Sequence, residues 1–542
     1  MISGFSYAGE APQIPRSEAR RGERAGTVAG YVLIALLLLA LFGRIMSYPL
    51  QHDEQIHVAA GAMVADHALY RDLGYNHLPN FALLLSGVFT LAGDENYLLV
   101  GRVTVFMLWL LACSAIALIA WRVTGSRAMV LFAIVMLVSN PVLLGQPGLL
   151  VTNSFAPMAM ALLATYFFLS GLEDNAPRPW RIAAAGLCVA LAIGLRVSYV
   201  FLVPPFVAAT LLVPTRLPFV VRLRSVMLPF ALAGIIGMLP TLIYLLSDPQ
   251  SLFAHTVSYF TGPHQSYWQT VDGPKVVSLA GKIQLAEEVW FSGTTLLSAV
   301  AAGMVLMLGG FATGRGGWSF PAIAWPIWLM LGLVACGILV SFVPTPAFVQ
   351  YYVPPIIFLT LAALLGFGAL DDWRRPIALV LLALIGALSL ASGATRLGQG
   401  LAALAAPAKW TGVQAHAAGV RIAALLNGAP AGGKVATLSP ILALEAGFPA
   451  YPELAAGPFQ YRVADLIPAA DRRHYRIVSP GELPVFLAQD RPVAIITGHE
   501  GELDAAFDAF ARARGYRQFD LQGDEPVRLF VHPALVSSSP AG

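Results

Sequence analysis

Residues 28–61 read "VAGYVLIALLLLALFGRIMSYPLQHDEQIHVAAG". The first part, 28–48, is apolar for long enough to cross a hydrocarbon layer, which takes roughly 17–25 residues. The second part packs His52, Asp53, Glu54 and His57 into six positions just where that run ends. A membrane span followed at once by two carboxylates and two imidazoles sets the frame for the rest of the chain.

The composition agrees. Of 542 residues, 57% are hydrophobic and 12% charged, against about 25% charged in soluble domains. Further apolar runs fall near 98–122, 127–145, 149–171, 180–197, 198–213, 225–246, 294–313, 320–342, 348–369 and 376–396. The stretch 180–213 is too long for one helix and is divided near Arg196. Together with the first run this predicts a polytopic α-helical membrane protein with about eleven spans. A further segment, 78–93, is short and opens near Pro79.

Loop charge sets the orientation. The first 27 residues carry Arg16, Arg20, Arg21 and Arg24 and are expected to be a cytoplasmic tail. No small-residue cleavage site follows the first run, so it reads as a retained span. If 78–93 lies in the interface without crossing, the basic stretches "WRVTGSR" (121–127), "EDNAPRPWR" (173–181), "PTRLPFVVRLR" (214–224), "TGRGG" (313–317) and "DDWRRP" (371–376) all fall inside. The loops 49–97, 247–293 and 343–347 then fall outside.

The tail, 397–542, is outside as well and changes character. "KVATLS" (434–439), "YRIVS" (475–479), "PVAIITG" (492–498) and "VRLFVH" (527–532) read as strands. "ELDAAFDAFARARG" (502–515) reads as an amphipathic helix stopped by glycine. The expected organisation is therefore a tail over 1–27, a membrane domain over 28–396 and a small α/β domain over 397–542.

Several function classes lose support. The net charge of +3 gives no case for nucleic acid. Cys113, Cys188 and Cys336 sit in apolar runs and form no CxxC pattern. No Walker A loop, strand-led GxGxxG, HExxH or GxSxG occurs. Inverted repeats and paired broken helices, which mark many transporters, are not evident in the sequence either. A transporter or lipid flippase nevertheless stays as the competing class.

Carboxylates near a membrane surface lose hydration, which raises their pKa and makes them stronger bases. Asp53 and Glu54 are the candidates, with a plain solvated loop as the alternative reading. Asp53 and His57 are four residues apart, a spacing that a helix would align for a divalent metal ion, but no complete ligand motif accompanies them. Arg44, Arg102 and Arg196 lie near the outer ends of spans, slightly inside apolar sequence. A guanidinium there is costly, and arginine suits phosphate. Snorkelling to the interface is the alternative. The loop 247–293 carries His255, His264, Lys275 and Lys282 among aromatic residues and reads as a lid over a charged head group, or as an ordinary wet loop. "VQYYVPPIIF" (349–358) offers Tyr351 and Tyr352 as interfacial anchors or phosphate contacts.

These residues resemble the GT-C membrane glycosyltransferases, the group of aminoarabinose transferases, protein O-mannosyltransferases and rhizobial galacturonosyltransferases. "HDEQIH" follows the first span where that group has an acidic pair. "LYRDLGYNHLPNFALLLSGVFTLAG" (69–93) is similar to its juxtamembrane helix, "NYLLVGRV" (96–103) to its arginine-bearing second span and "VQYYVPP" to its late aromatic-proline span. The likeness covers about residues 28–400. It implies a sugar donor on a polyprenyl phosphate, presented at the periplasmic face of a bacterial inner membrane. Asp53, with Glu54 beside it, would be the base on a lipid, glycan or protein hydroxyl. Arg44, Arg102, Arg196, Lys275, Lys282, Tyr351 and Tyr352 would grip the donor phosphate. His57, Tyr75, His77, His255 and His264 are the candidate substrate contacts, and a divalent metal ion is the one candidate cofactor, with no ligand set assigned. One departure stands out: Asn76 and His77 occupy the place where aminoarabinose transferases carry a second acidic residue.

Overall fold

The computed structural model describes residues 16–172, 176–213, 217–310, 324–521 and 527–536. The loops at 173–181, 214–224 and 313–317, on which part of the orientation argument rests, lie wholly or partly outside the described residues, as does most of the N-terminal tail.

A helix occupies each apolar run. The first, α1 (Arg16–Ser47), buries Leu37, Ala40, Leu41, Ile45 and Met46 on one side and exposes Val28, Tyr31, Val32, Leu36 and Leu39 on the other. A helix apolar on both sides fits a lipid surround and not water. Its partner is the long helix Arg375–Ala403, met where Gly43 faces the backbone of Gly400 and Gly400 faces that of Ala40. A Cβ at either glycine would collide with backbone, so the close crossing requires both.

Next come α2 (His52–Met63), α3 (Asn80–Ala92), α4 (Tyr97–Thr124) and α5 (Arg127–Val138). The 13 residues of α3 rise about 20 Å, short of a hydrocarbon core of about 30 Å. Among the described residues, five helices are long and apolar enough to cross by themselves, and a sixth arises if Leu279–Trp290 and Gly293–Gly309, bent by 75°, make one span. The remaining apolar runs hold shorter helices, among them Ala156–Gly171, Pro179–Leu195, Val197–Leu212 and Trp325–Ser341. The division near Arg196 is real: the helix Pro179–Leu195 stops there and a 3-10 turn, Val197–Leu202, takes over. The run 225–246 is broken where it was expected to be continuous, between helices ending at Gly237 and starting at Leu239, because Pro240 cannot continue the ladder.

The segment 247–293 is helical almost throughout, from Pro249–Phe253 to Pro263–Val271 and Leu279–Trp290, where the sequence reading had a loop. It folds against the tail: the Tyr259 hydroxyl donates to the Phe459 carbonyl at 2.7 Å, and Gln460 Nε2 meets His255 Nδ1 at 3.0 Å.

The tail forms a mixed sheet of β1 (Val435–Thr437), β2 (Ala494–Thr497), β3 (Arg517–Leu521) and β4 (Val527–Val531) in the order β1-β2-β4-β3. β1 and β2 are parallel, and β4 is antiparallel to both β2 and β3. Two strand expectations change. "YRIVS" (475–479) is not a strand: the helix Ala469–Tyr475 runs into it, and Ile477 and Val478 are buried without a ladder. β3 was missed because it alternates exposed and half-exposed residues at the sheet edge. The expected helix is present as Ala505–Ala513 after a 3-10 turn.

One face of the sheet shares a core with the other half of the molecule. Val435, Ala494, Ile496, Leu529 and Val531 join Ile56 of α2 and Leu69, Tyr70, Leu73 and Tyr75 in one apolar cluster. Polar ties reinforce it. Ile441 N–H donates to Gln55 Oε1 at 3.1 Å, and Leu98 N–H, at the start of α4, donates to Glu445 Oε1 at 3.0 Å. The tail is thereby fixed over the end of the helical bundle that carries α2.

Candidate active site

The short helix α2 separates the two carboxylates. Successive residues on an α-helix are turned by about 100°, so Asp53 and Glu54 face different neighbours. Glu54 is fully buried and accepts from Arg102 twice, Nε to Oε1 and Nη2 to Oε2, both at 2.6 Å. Val151 N–H adds a third donor at 3.0 Å, and the Gln51 N–H a longer one at 3.4 Å. Arg102, equally buried, also donates to the carbonyls of Ile45 and Tyr48. This bidentate pair binds α4 to the turn between α1 and α2. It uses up both residues, so the expectations of Glu54 as part of the base and Arg102 as a phosphate grip are revised: neither side chain reaches open space.

Asp53 does reach it. Its carboxylate borders a cavity of ≈ 270 Å³, also lined by His52, His57, Asn76, His77, Gln146, Ser154, Arg196, His264, Trp268, Tyr351 and Arg462, among others. Gln146 Nε2 donates to Asp53 Oδ2 at 3.2 Å. Burial pushes the Asp53 pKa above the ordinary carboxylate value, while Arg196, Arg462 and His52 pull against that rise.

Arg196 stands across from it. The break after Leu195 puts Arg196 in an extended conformation, and Asn153 Nδ2 caps the Leu195 carbonyl at 3.0 Å. The guanidinium donates from Nη1 to Ser154 Oγ at 2.7 Å and lies 5.0 Å from the Tyr351 ring centre. Among the described residues no carboxylate is ion-paired to it, and it lines the cavity.

The histidines are held neutral. His57, one turn after Asp53, stacks on His77 at 4.8 Å and meets the Tyr75 hydroxyl at 3.0 Å. Burial, then His77 and Arg196, keep the His57 pKa well below the imidazole norm. Burial, then Arg196 and His264, bring His77 down to about 3, and burial with Arg462 does the same for His264. His52 differs: its hydrogen bond to Glu500, at 3.0 Å from Oε1, raises its pKa. Among the described residues, no group of three or more His, Cys, Asp or Glu side chains is placed to share a metal ion. The divalent ion suggested by the Asp53–His57 spacing therefore finds no ligand set among the described residues.

A second cavity of ≈ 370 Å³ adjoins the first and shares Asn76, His77, Asn153, Arg196, Phe260, His264 and Tyr351 with it. The walls it adds are largely apolar: Leu78, Val197, Val257, Pro344 and Pro346. Arg196 and Tyr351 thus stand where a polar chamber meets an apolar branch.

The other expected residues are elsewhere. Arg44 lies over the Tyr48 ring, 5.0 Å from its centre. Lys282 donates to the Phe342 carbonyl at 2.8 Å and Thr345 Oγ1 at 2.7 Å, which fixes the loop before the branch wall. Lys275 is exposed on the helix Gly273–Val276. Tyr352 is buried, and its carbonyl accepts from Trp290 Nε1. His255 is buried against Gln460, and Tyr75 stands behind His57. Sequence reasoning missed Gln146, Ser154 and Arg462. The first two lie in polar breaks, "LGQPG" and "VTNSF", which interrupt an apolar run and could have been flagged on that ground.

No family model matches the chain, and no curated protein matches it in sequence. Solved structures do match. ArnT from Cupriavidus metallidurans bound to undecaprenyl phosphate aligns with a TM-score of 0.60 at 14% identity, over 96% of this chain and 99% of that one. The apo form of ArnT gives 0.60 at 15% identity, over 96% and 100%. The oligosaccharyltransferase of Archaeoglobus fulgidus, in its apo form, gives 0.47 at 12% identity over 90% and 71%. At near-complete coverage of both chains, the ArnT likeness shows that the fold is that of the GT-C membrane glycosyltransferases.

Proposed function

We propose that a chain with this fold and cavity is an inverting glycosyltransferase. It moves a sugar from a polyprenyl-phosphate-linked donor to a hydroxyl of a lipid, glycan or protein acceptor at the periplasmic face of a bacterial inner membrane. The observation that carries the reading is the pairing of Asp53 and Arg196 on one cavity, each held by neutral partners and neither neutralised by the other. The undecaprenyl phosphate in the matching ArnT structure supports the donor class.

The donor's isoprenoid tail lies in the apolar branch, with its phosphate at the junction beside Arg196 and Tyr351. The sugar then projects into the polar chamber, where Asp53 takes the proton of the acceptor hydroxyl. That oxygen attacks the anomeric carbon from the face opposite the phosphate. The bond from the anomeric carbon to the phosphate oxygen breaks, and the electron pair leaves with the phosphate. Negative charge grows on the phosphate in the transition state, and Arg196 is the donor group aimed at it, a role worth about 10²–10³ in rate. Burial makes Asp53 a stronger base than a surface aspartate. Neutral His57 and His77 contribute hydrogen bonds without adding positive charge beside that base.

Mass spectrometry of surface glycolipids and glycoproteins from a deletion strain tests the reading. Loss of one hexose, pentose or uronic acid from one acceptor is the expected result. An unchanged glycan inventory, with altered accumulation of a solute or lipid, would replace it with transport.

A further inference from the structure

Arg462 belongs to the tail, just after the short helix Pro458–Tyr461, and lines the polar chamber. Three aromatic rings box its guanidinium, with centres at 4.9 Å (Phe459), 5.1 Å (Tyr267) and 5.3 Å (Trp268). No carboxylate is ion-paired to it among the described residues, and its Nε is buried without a hydrogen-bond partner; the Tyr259 hydroxyl is its polar neighbour. Two more unpartnered buried atoms stand beside it on the chamber wall, Trp268 Nε1 and His264 Nδ1. Buried donors without acceptors are costly, and Arg462 Nε–H and Trp268 Nε1–H both donate only.

The position of Arg462 separates it from the donor site. Arg196 lines both cavities, whereas Arg462 lines the polar chamber alone and is not part of the apolar branch. Asp53 feels both guanidiniums, while His57 and His77 feel Arg196 and His264 feels Arg462. Two guanidiniums thus act on Asp53, one shared with the apolar branch and one confined to the polar chamber. A base must touch its acceptor, so the guanidinium confined to the chamber marks where the acceptor arrives.

We propose that Arg462, with Trp268, forms an acceptor subsite for a sugar that carries an acidic group, a carboxylate or a phosphate, with His264 at its border with the apolar branch. The guanidinium and the indole N–H receive the oxyanion, and the aromatic walls receive the apolar face of the sugar ring. This rests on the donor placement proposed above. It makes the tail domain a specificity element, because Arg462 reaches the chamber only through the tail's docking.

The test uses the full chain in lipid nanodiscs and compares binding of octyl glucoside, octyl glucuronide and octyl glucoside 6-phosphate, with undecaprenyl phosphate measured separately. Wild type should bind one or both acidic glycosides about tenfold more tightly than the neutral one, as a charge-assisted contact supplies. The two acidic arms tell carboxylate from phosphate. Arg462→Gln should erase that preference and Arg462→Lys should keep part of it, with undecaprenyl phosphate binding unchanged in both. Equal binding of all three glycosides by wild type would overturn the subsite, as would an acidic preference that survives Arg462→Gln. An equal loss of undecaprenyl phosphate binding in Arg462→Gln would overturn it too and move the residue to the donor. If the acidic preference holds while wild type fails to bind undecaprenyl phosphate, the donor reading fails and the oxyanion subsite stands.

Discussion

Substituting Arg102 decides between two roles that the sequence could not separate. The side chain is fully buried and supplies two of the donors to Glu54, at 2.6 Å each. Arg102→Met removes them and leaves the carboxylate with the N–H groups of Val151 and Gln51, at 3.0 and 3.4 Å. Breaking one side of a buried pair costs about 3–5 kcal/mol, because the remaining charge stays desolvated. With an unfolding entropy of about 2.1 cal/mol/K per residue, a chain of 542 residues loses about 3–4 °C in Tm. The double variant Arg102→Met with Glu54→Leu removes both charges and should cost less than the sum of the single changes. Thermal unfolding of the purified protein in detergent, run beside undecaprenyl phosphate binding, reads both effects. If Arg102→Met left Tm unchanged and abolished lipid binding, the pair would not be structural and Arg102 would return to the phosphate.

Gly400→Ala places a Cβ against the Ala40 backbone; the crossing with α1 must open, and the folded yield on size-exclusion chromatography should fall sharply. Transfer by wild type should rise with pH along a limb above the ordinary aspartate value of about 3.9, since the base acts deprotonated and burial raises its pKa. Arg196→Gln removes a cation that opposes this rise, so a rate–pH profile should show the limb moved to still higher pH. The His52–Glu500 contact raises the His52 pKa, so its contribution is complete below about 6.5 and is lost as pH climbs through the elevated value. Amide exchange around residues 499–504 should accelerate over that window, and Glu500→Gln should flatten the pH dependence.

The helical bundle was legible because apolar runs of membrane length have few other fates, and the break at Arg196 because one helix could not hold the whole stretch. Asp53 could be singled out for a related reason, since a carboxylate at the end of a span is an expensive placement, and the structure puts it on the cavity. The role of its neighbour was not legible, since a turn of about 100° sends Glu54 to a partner 48 positions away in the chain. Arg44, Arg102 and Arg196 look alike as guanidiniums in apolar sequence, and only packing tells which is consumed by a carboxylate, laid over a ring or left facing a cavity. Arg462 carries no local signature in "GPFQYRVAD"; its place in the chamber follows from sheet packing and from bonds such as Tyr259 to Phe459. The strand expected at 475–479 is absent because Ile477 and Val478 are single plugs into a core and not part of a ladder.

The central claim is that Asp53 is the base facing a lipid-borne phosphate held by Arg196. The direct measurement is single-turnover transfer by Asp53→Asn, which keeps shape and the Gln146 contact, supplied with an undecaprenyl-phosphate-linked sugar and a competent acceptor. The account predicts unchanged binding of undecaprenyl phosphate and a rate lower by about 10²–10⁴, the usual worth of a positioned general base. Transfer at the wild-type rate would contradict it.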